Sequence, residues 1–161
     1  MRRPHIILID GESGVGKTTL ANRMADALHA TVVHLDDAYP GWGGLVEGVA
    51  EVSTGVLKPM SEGKPGRYRK WDWVGNRHGE QLMVAVPEVL IVEGCGSSTP
   101  DTRRIADTVI WLSTDSAERQ ARRNSREGGE NKSELQRWDQ DVELHIERND
   151  PIETASVRLR T

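Results

Sequence analysis

Gly11-Glu-Ser-Gly-Val-Gly16-Lys17-Thr18 satisfies G-x-x-x-x-G-K-[S/T] at every fixed position. Glycines let the main chain curl so that successive N–H groups point into one concavity, an arrangement that holds oxyanions. Gly11, Ser13, Gly14, Val15 and Gly16 supply that ring, and Thr19 extends it. Lys17 adds a full positive charge suited to the β and γ phosphates of ATP, and the Thr18 hydroxyl is an oxygen ligand of the kind Mg²⁺ prefers. A helix beginning near Lys17 would aim the positive end of its dipole at the same point.

Carboxylates follow at two further places. His34-Leu35-Asp36-Asp37 sets two acids after an apolar run, and Glu93 ends the run Val89 to Val92. A phosphoryl transfer to a hydroxyl benefits from a carboxylate that orients the hydroxyl and takes its proton. Asp36 is the expected base, Asp37 an expected acceptor ligand, and Glu93 an expected neighbour of Mg²⁺. Arg119, Arg122, Arg123 and Arg126 recur at helical spacing, so several share one face. Arginine neutralises the charge that spreads over transferring phosphoryl oxygens, which makes this helix a candidate lid. Arg123 and Arg126 are expected to point inward as catalytic groups, and Arg119 to contact the nucleotide. Gly128-Gly129 would serve as the hinge. The same helix also carries Asp115–Arg119 and Glu118–Arg122 pairs at i,i+4, the pattern of any solvated helix.

Between these groups, Tyr39, Trp42, Arg67, Tyr68, Asp72 and Trp73 sit in loop-like sequence. Aromatic rings there could stack on a base or sugar, and Arg or Asp could bind hydroxyls or phosphate. The five histidines (5, 29, 34, 78 and 145) show no metal-ligand spacing. Cys95 reads as a small buried residue, and Trp111 and Trp138 read as core.

The elements that must position these side chains are legible in the hydrophobic pattern. Continuous apolar runs at 5–9, 31–35, 89–93 and 108–112 suit strands buried on both faces. Helical spacing marks 17–29, 45–57 and 116–127, and a short helix is expected at 79–85. Ser133 with Gln136 forms a capping-box pattern for a last helix, which Asn149-Asp150-Pro151 stops, and Ser156 to Leu159 reads as a final short strand. The stretch 58–79 reads as a polar loop. Strands alternating with helices give a parallel sheet covered on both faces, and ligands of such sheets bind beyond the carboxyl ends of the strands. The glycine loop, Asp36, Glu93 and the segment after Leu112 all fall there.

Bulk properties agree. At 161 residues, with 36% hydrophobic and 29% charged residues, the chain fits one globular domain. A net charge of −4 argues against a nucleic-acid partner. A single cysteine excludes an internal disulfide and fits a reducing, cytoplasmic setting. The apolar run after Met1-Arg-Arg-Pro4 is too short for a signal core or a membrane span.

Taken together, Gly11 to Thr19, Leu35-Asp-Asp-Ala-Tyr39, Tyr68 to Trp73, Ile91-Val-Glu-Gly94 and Arg119 to Arg126 resemble the uridine kinase-like branch of the P-loop nucleoside and nucleotide kinases. The resemblance covers about half of the chain. It implies a P-loop NTPase-type three-layer α/β/α sandwich with a parallel five-stranded sheet of order 2-3-1-4-5. It also implies ATP and Mg²⁺ as the reacting pair, Asp36 acting on the acceptor hydroxyl with Tyr39 in step, and Glu93 near Mg²⁺. The expected division is a lid at about 116–132 and an acceptor segment at about 37–85 within one kinase-like domain. A small-molecule acceptor is expected, a nucleoside or nucleotide first and a sugar acid or other metabolite second. A nucleotide-dependent switch or ATPase is the alternative of another class. Asn131-Lys-Ser-Glu134 approximates the guanine-reading N-K-x-D motif but precedes a helix rather than ending a strand. Residue pattern alone leaves the oligomeric state open.

Overall fold

A computed structural model describes residues 2–127 and 131–161. A central strand, β1 (His5–Gly11), carries the run Ile6 to Ile9 and is followed by helix α1 (Lys17–Leu28). Strand β2 (Thr31–His34) runs into a single 3₁₀ turn, Leu35–Asp37. Next come α2 (Leu45–Val52), a π-turn (Ser53–Leu57) and α3 (Lys58–Ser61), continuous along the chain. Strands β3 (Gly66–Asp72) and β4 (Arg77–Val84) form a separate antiparallel hairpin. The rest alternates: β5 (Val89–Glu93), α4 (Pro100–Ile105), β6 (Thr108–Ser113), α5 (Ser116–Glu127), α6 (Lys132–Asn149) and β7 (Val157–Arg160).

The main sheet has five strands in the order β2-β5-β1-β6-β7, all parallel. With the hairpin set aside, its strands number 2-3-1-4-5, as expected. Alternate residues of the apolar runs go to opposite faces. Ile6, Leu8, Leu90, Val92 and Val109 pack on one side with Val49, Trp138 and Val142 from α2 and α6. Ile7, Ile9, Ile91 and Ile110 pack on the other with Ala21, Leu20 and Met24 of α1. Each such fully buried aliphatic side chain contributes about 1.5–3 kcal/mol from water exclusion. Three layers result, and the sheet's carboxyl edge brings Gly11, His34, Glu93 and Ser113 to one side.

Three expectations are corrected, the first being the polar loop at 58–79, which instead holds α3 and β3. Residues 79–85 are not a helix, because Arg77–Val84 pairs with β3 in register, Tyr68 opposite Leu82 and Gly66 opposite Val84. Only one face of the hairpin is apolar: Tyr68 and Val84 are buried while Arg67, Arg69 and Glu80 face water, an alternation masked by glycine and charge. The capping box at Ser133 is not formed, since α6 begins two residues earlier, at Lys132 with Asn131 as its cap, and the Ser133 hydroxyl turns to Glu134. The proposed hinge Gly128-Gly129 lies outside the described residues. Among the described residues, no helix is long and apolar enough to cross a membrane.

Candidate active site

The loop between β1 and α1 has the conformation its glycines permit. Gly14 and Gly16 take φ of +86° and +98°, values that side chains rarely adopt. Gly16 is also the cap of α1. Among the described residues no side chain satisfies the first-turn amides, so they remain available to an oxyanion. Lys17 is largely buried, and its Nζ donates to the Glu12 carbonyl at 2.7 Å, which holds the ammonium over the loop.

A cleft of about 690 Å³ opens over this loop. On one side it is walled by Ser13, Gly14, Gly16, Lys17, Thr18 and Thr19. Opposite stand Asp36, Glu93 and an aromatic group, Tyr39, Trp42, Trp73 and Trp138. Arg122, Arg126 and Asn131 border it, and Cys95 completes the wall. Glu93, 2% exposed, accepts from the Thr18 hydroxyl at 3.0 Å and lies 2.7 Å from His34 Nδ1, both through Oε1. The Glu93 hydrogen bond raises the His34 pKa above its usual 6.5, against the opposing effect of burial. Asp36 stays open to the cleft, yet loss of bulk water between its walls and the Glu93 charge push its carboxyl above the ordinary range. Lys17 and Arg126 act in the opposite sense on it.

The aromatic wall is a chain of edge-to-face contacts. Tyr39 meets Trp138 at 4.7 Å between centroids, Trp138 meets Trp42 at 6.5 Å, and Trp42 meets Trp73 at 5.6 Å. Trp73 lies in the hairpin turn. Its indole N–H donates to the Asp36 carbonyl at 3.0 Å, which folds the tip of the hairpin back over the cleft. Tyr39 is fully enclosed and its hydroxyl donates to the Cys95 carbonyl at 2.7 Å, so it offers a ring rather than a free hydroxyl. Burial pushes its phenol well up and raises the Cys95 thiol, which disfavours the thiolate a nucleophile would need.

Other expected residues lie elsewhere. Tyr68 is core, its phenol pushed up to about 12 by burial with the Asp37 charge adding to the rise. Arg67 is solvent-facing on β3. Asp72 closes the hairpin turn by accepting from the Val74 and Gly75 amides. Arg123 was expected to face the phosphates. Instead it is 3% exposed, packs its stem beside Gly14 and pairs with Asp139 of α6 at 2.9 Å. Arg119 and Arg122 donate to the Ser13 and Val15 carbonyls at 3.4 and 3.2 Å, and Arg126 to the Ser13 hydroxyl at 3.3 Å. The arginine helix therefore rests on the glycine loop along its length.

Several site residues carry no sequence signal of their own. Trp138 reads as core and is core, yet it also walls the cleft. Asn131, whose only sequence pattern is the guanine-reading look-alike, also borders it. Asp10 and His145, each within a different apolar element, meet in the interior at 2.8 Å. Only the position of Asp10 immediately before the glycine loop hints at its involvement.

The adjoining oxygens of Thr18 and Glu93 fit Mg²⁺, which takes few protein oxygens and completes its shell with phosphate and water. Among the described residues, no group of three or more His, Cys, Asp or Glu forms a metal cage of its own.

No family model matches the chain, and no curated protein matches it. Solved structures do. A possible uridine kinase from Bacillus stearothermophilus superposes with a TM-score of 0.71 at 19% identity, covering 99% of this chain and 90% of that one. D-glycerate 3-kinase from Cryptococcus neoformans gives 0.61 at 13% identity over 100% and 87%. A gluconokinase from Sinorhizobium meliloti gives 0.50 at 19% identity over 99% and 84%. The likeness spans the whole sheet and its helices, and the protein has the P-loop kinase fold.

Proposed function

We propose that the protein is an ATP-dependent phosphotransferase that moves the γ-phosphoryl group to a hydroxyl of a small acceptor, with a nucleoside or nucleotide as the first expectation. The observation that carries this is the convergence of Lys17, Thr18, Asp36 and Glu93 on one cleft, facing an aromatic wall. A phosphate cradle alone would serve a switch or an ATPase. A carboxylate opposite it, beside a chamber of indole rings, is what an acceptor hydroxyl requires.

In this reading the cradle amides and Lys17 bind the polyphosphate and hold its end in line with the chamber. Thr18 and Glu93 would hold Mg²⁺, which supplies charge neutralisation at the phosphate oxygens. Asp36 accepts hydrogen-bonding from the acceptor hydroxyl and takes its proton as the oxygen–phosphorus bond forms and ADP departs. Arg126, and Arg122 at the rim, offset negative charge on the transferring group. Trp42 and Trp73 hold the acceptor's ring, and the folded-back hairpin excludes water that would otherwise intercept the phosphoryl group. Asp37, Tyr68, Arg67, Asp72 and Arg123 take supporting rather than contacting roles.

A sugar-acid kinase is the second reading. The rim cations Arg122 and Arg126 could pair with an acceptor carboxylate, and structural neighbours include proteins named for glycerate and gluconate. Indole walls favour a planar ring over a polyhydroxy acid. ADP release from MgATP, measured with and without a panel of nucleosides, nucleotides and sugar acids, tests the proposal. Release stimulated at least about tenfold by one acceptor class is expected. Release indifferent to every acceptor would leave an ATPase or switch and overturn it.

A further inference from the structure

Asp10 is the last residue but one of β1, immediately before the cradle, and is 1% exposed. No step above uses it. Its Oδ1 accepts the amides of Gly11 and Gly96 at 2.8 and 3.0 Å. Its Oδ2 accepts the Ser98 amide at 3.0 Å and lies 2.8 Å from Nε2 of His145. His145 is itself 5% exposed on α6, and its Nδ1 is 2.9 Å from the Asn149 side-chain amide. With Asn149 donating to Nδ1, the imidazole donates from Nε2 to Asp10. Both carboxylate oxygens are thus saturated, and both ring nitrogens have partners.

The three backbone amides come from two different strand ends. Gly11 opens the cradle. Gly96 and Ser98 belong to the turn that follows Glu93 and carries Cys95 into the cleft wall. That turn, Gly94-Cys-Gly-Ser-Ser98, has little side chain with which to pack, and Gly96 is left-handed at φ +86°. Its placement therefore depends on polar anchoring, in which Asp10 supplies the charged acceptor. An acid at this point has no direct access to ligand, so its contribution passes through the main chain it holds.

We infer that Asp10, oriented by His145, is a positioning residue for nucleotide binding: it fixes the first cradle amide and the turn after Glu93 at one separation. The inference rests on the phosphotransferase reading above. Asp10→Asn preserves shape but cannot accept on both sides, so the Ser98 or Gly96 amide loses its acceptor. Amide exchange of the nucleotide-free protein should speed up at those residues, and the dissociation constant for MgADP should rise roughly tenfold, measured well below the unfolding temperature. His145→Gln retains a donor and should stay within about threefold of the unaltered protein, whereas His145→Leu should match Asp10→Asn. If Asp10→Asn does not fold, Asn149→Leu, at the outer end of the line, should still raise the constant about threefold. Faster exchange with unchanged MgADP affinity, or identical behaviour of the Gln and Leu variants, overturns the positioning role. Failure of the unaltered protein to bind MgADP overturns the kinase reading itself, and this role with it, before any variant is compared.

Discussion

In the proposed reaction Asp36 works as a base from a position that resists ionisation. Desolvation and Glu93 raise its pKa above the ordinary 3.8, so the fold favours its protonated form. Catalysis needs the ionised form. The rate should therefore fall as pH drops through a value above 3.8, and Asp36→Asn should remove that acidic limb. The same substitution should lower kcat by about 10²–10⁴ while the affinity for MgATP changes by no more than about twofold. A pH–rate profile combined with nucleotide titration checks both. The stability effect has the opposite sign. A carboxyl with a raised folded pKa contributes fully below its unfolded value and loses that contribution as pH rises through the folded one. Asp36→Asn should accordingly unfold at a slightly higher temperature than the parent at neutral pH, the trade-off expected of a group strained for function.

At the scale of elements, the β3–β4 hairpin is the part that shapes the proposed acceptor chamber. Its tip is held by the Trp73 indole on the Asp36 carbonyl and by the Trp42 edge. Trp73→Ala should raise the acceptor KM about tenfold with the ATP KM unchanged, as measured by steady-state kinetics in both substrates. The base of the hairpin docks where the helical segment carries Gly55. A Cβ there would come within 2.1 Å of the Arg67 carbonyl, and backbone cannot yield as a side chain would. Gly55→Ala should cost about 1–3 kcal/mol in denaturant unfolding and loosen the chamber with it. The sequence discloses these elements unevenly. The apolar strand runs stand out because β5 and β1 beside it are apolar on both faces, so no partner need be known to read them. The hairpin does not, because only Tyr68, Leu82 and Val84 mark its inner face between charged residues, and pairing across the turn supplies the order. The cradle is legible from local spacing alone. Arg123, Tyr68 and Asp72 look like ligands by type, but contacts with Asp139, the core and the hairpin turn claim them. Asp10 with His145 is invisible because its meaning lies in a contact between positions 135 apart.

Across the whole molecule, the sheet brings a cradle, two acids and an aromatic chamber to one edge, and α5 and α6 close the far side. Arg119 and Arg122 hold loop carbonyls while Arg123 reaches Asp139, so the beginning of the arginine helix is a buttress of the cradle. Because binding to the native state alone adds stability by mass action, the cradle can be read from the unfolding of the entire chain. MgATP at about a hundred times its dissociation constant should add about 2.7 kcal/mol, and so raise the midpoint of thermal unfolding by roughly 5–10 °C. Lys17→Ala should unfold near the parent temperature without ligand and show no such rise. An unaltered protein whose unfolding midpoint ignores MgATP, or a Lys17→Ala variant that responds as fully as the parent, would contradict the assignment of Gly11 to Thr18 as the seat of the nucleotide.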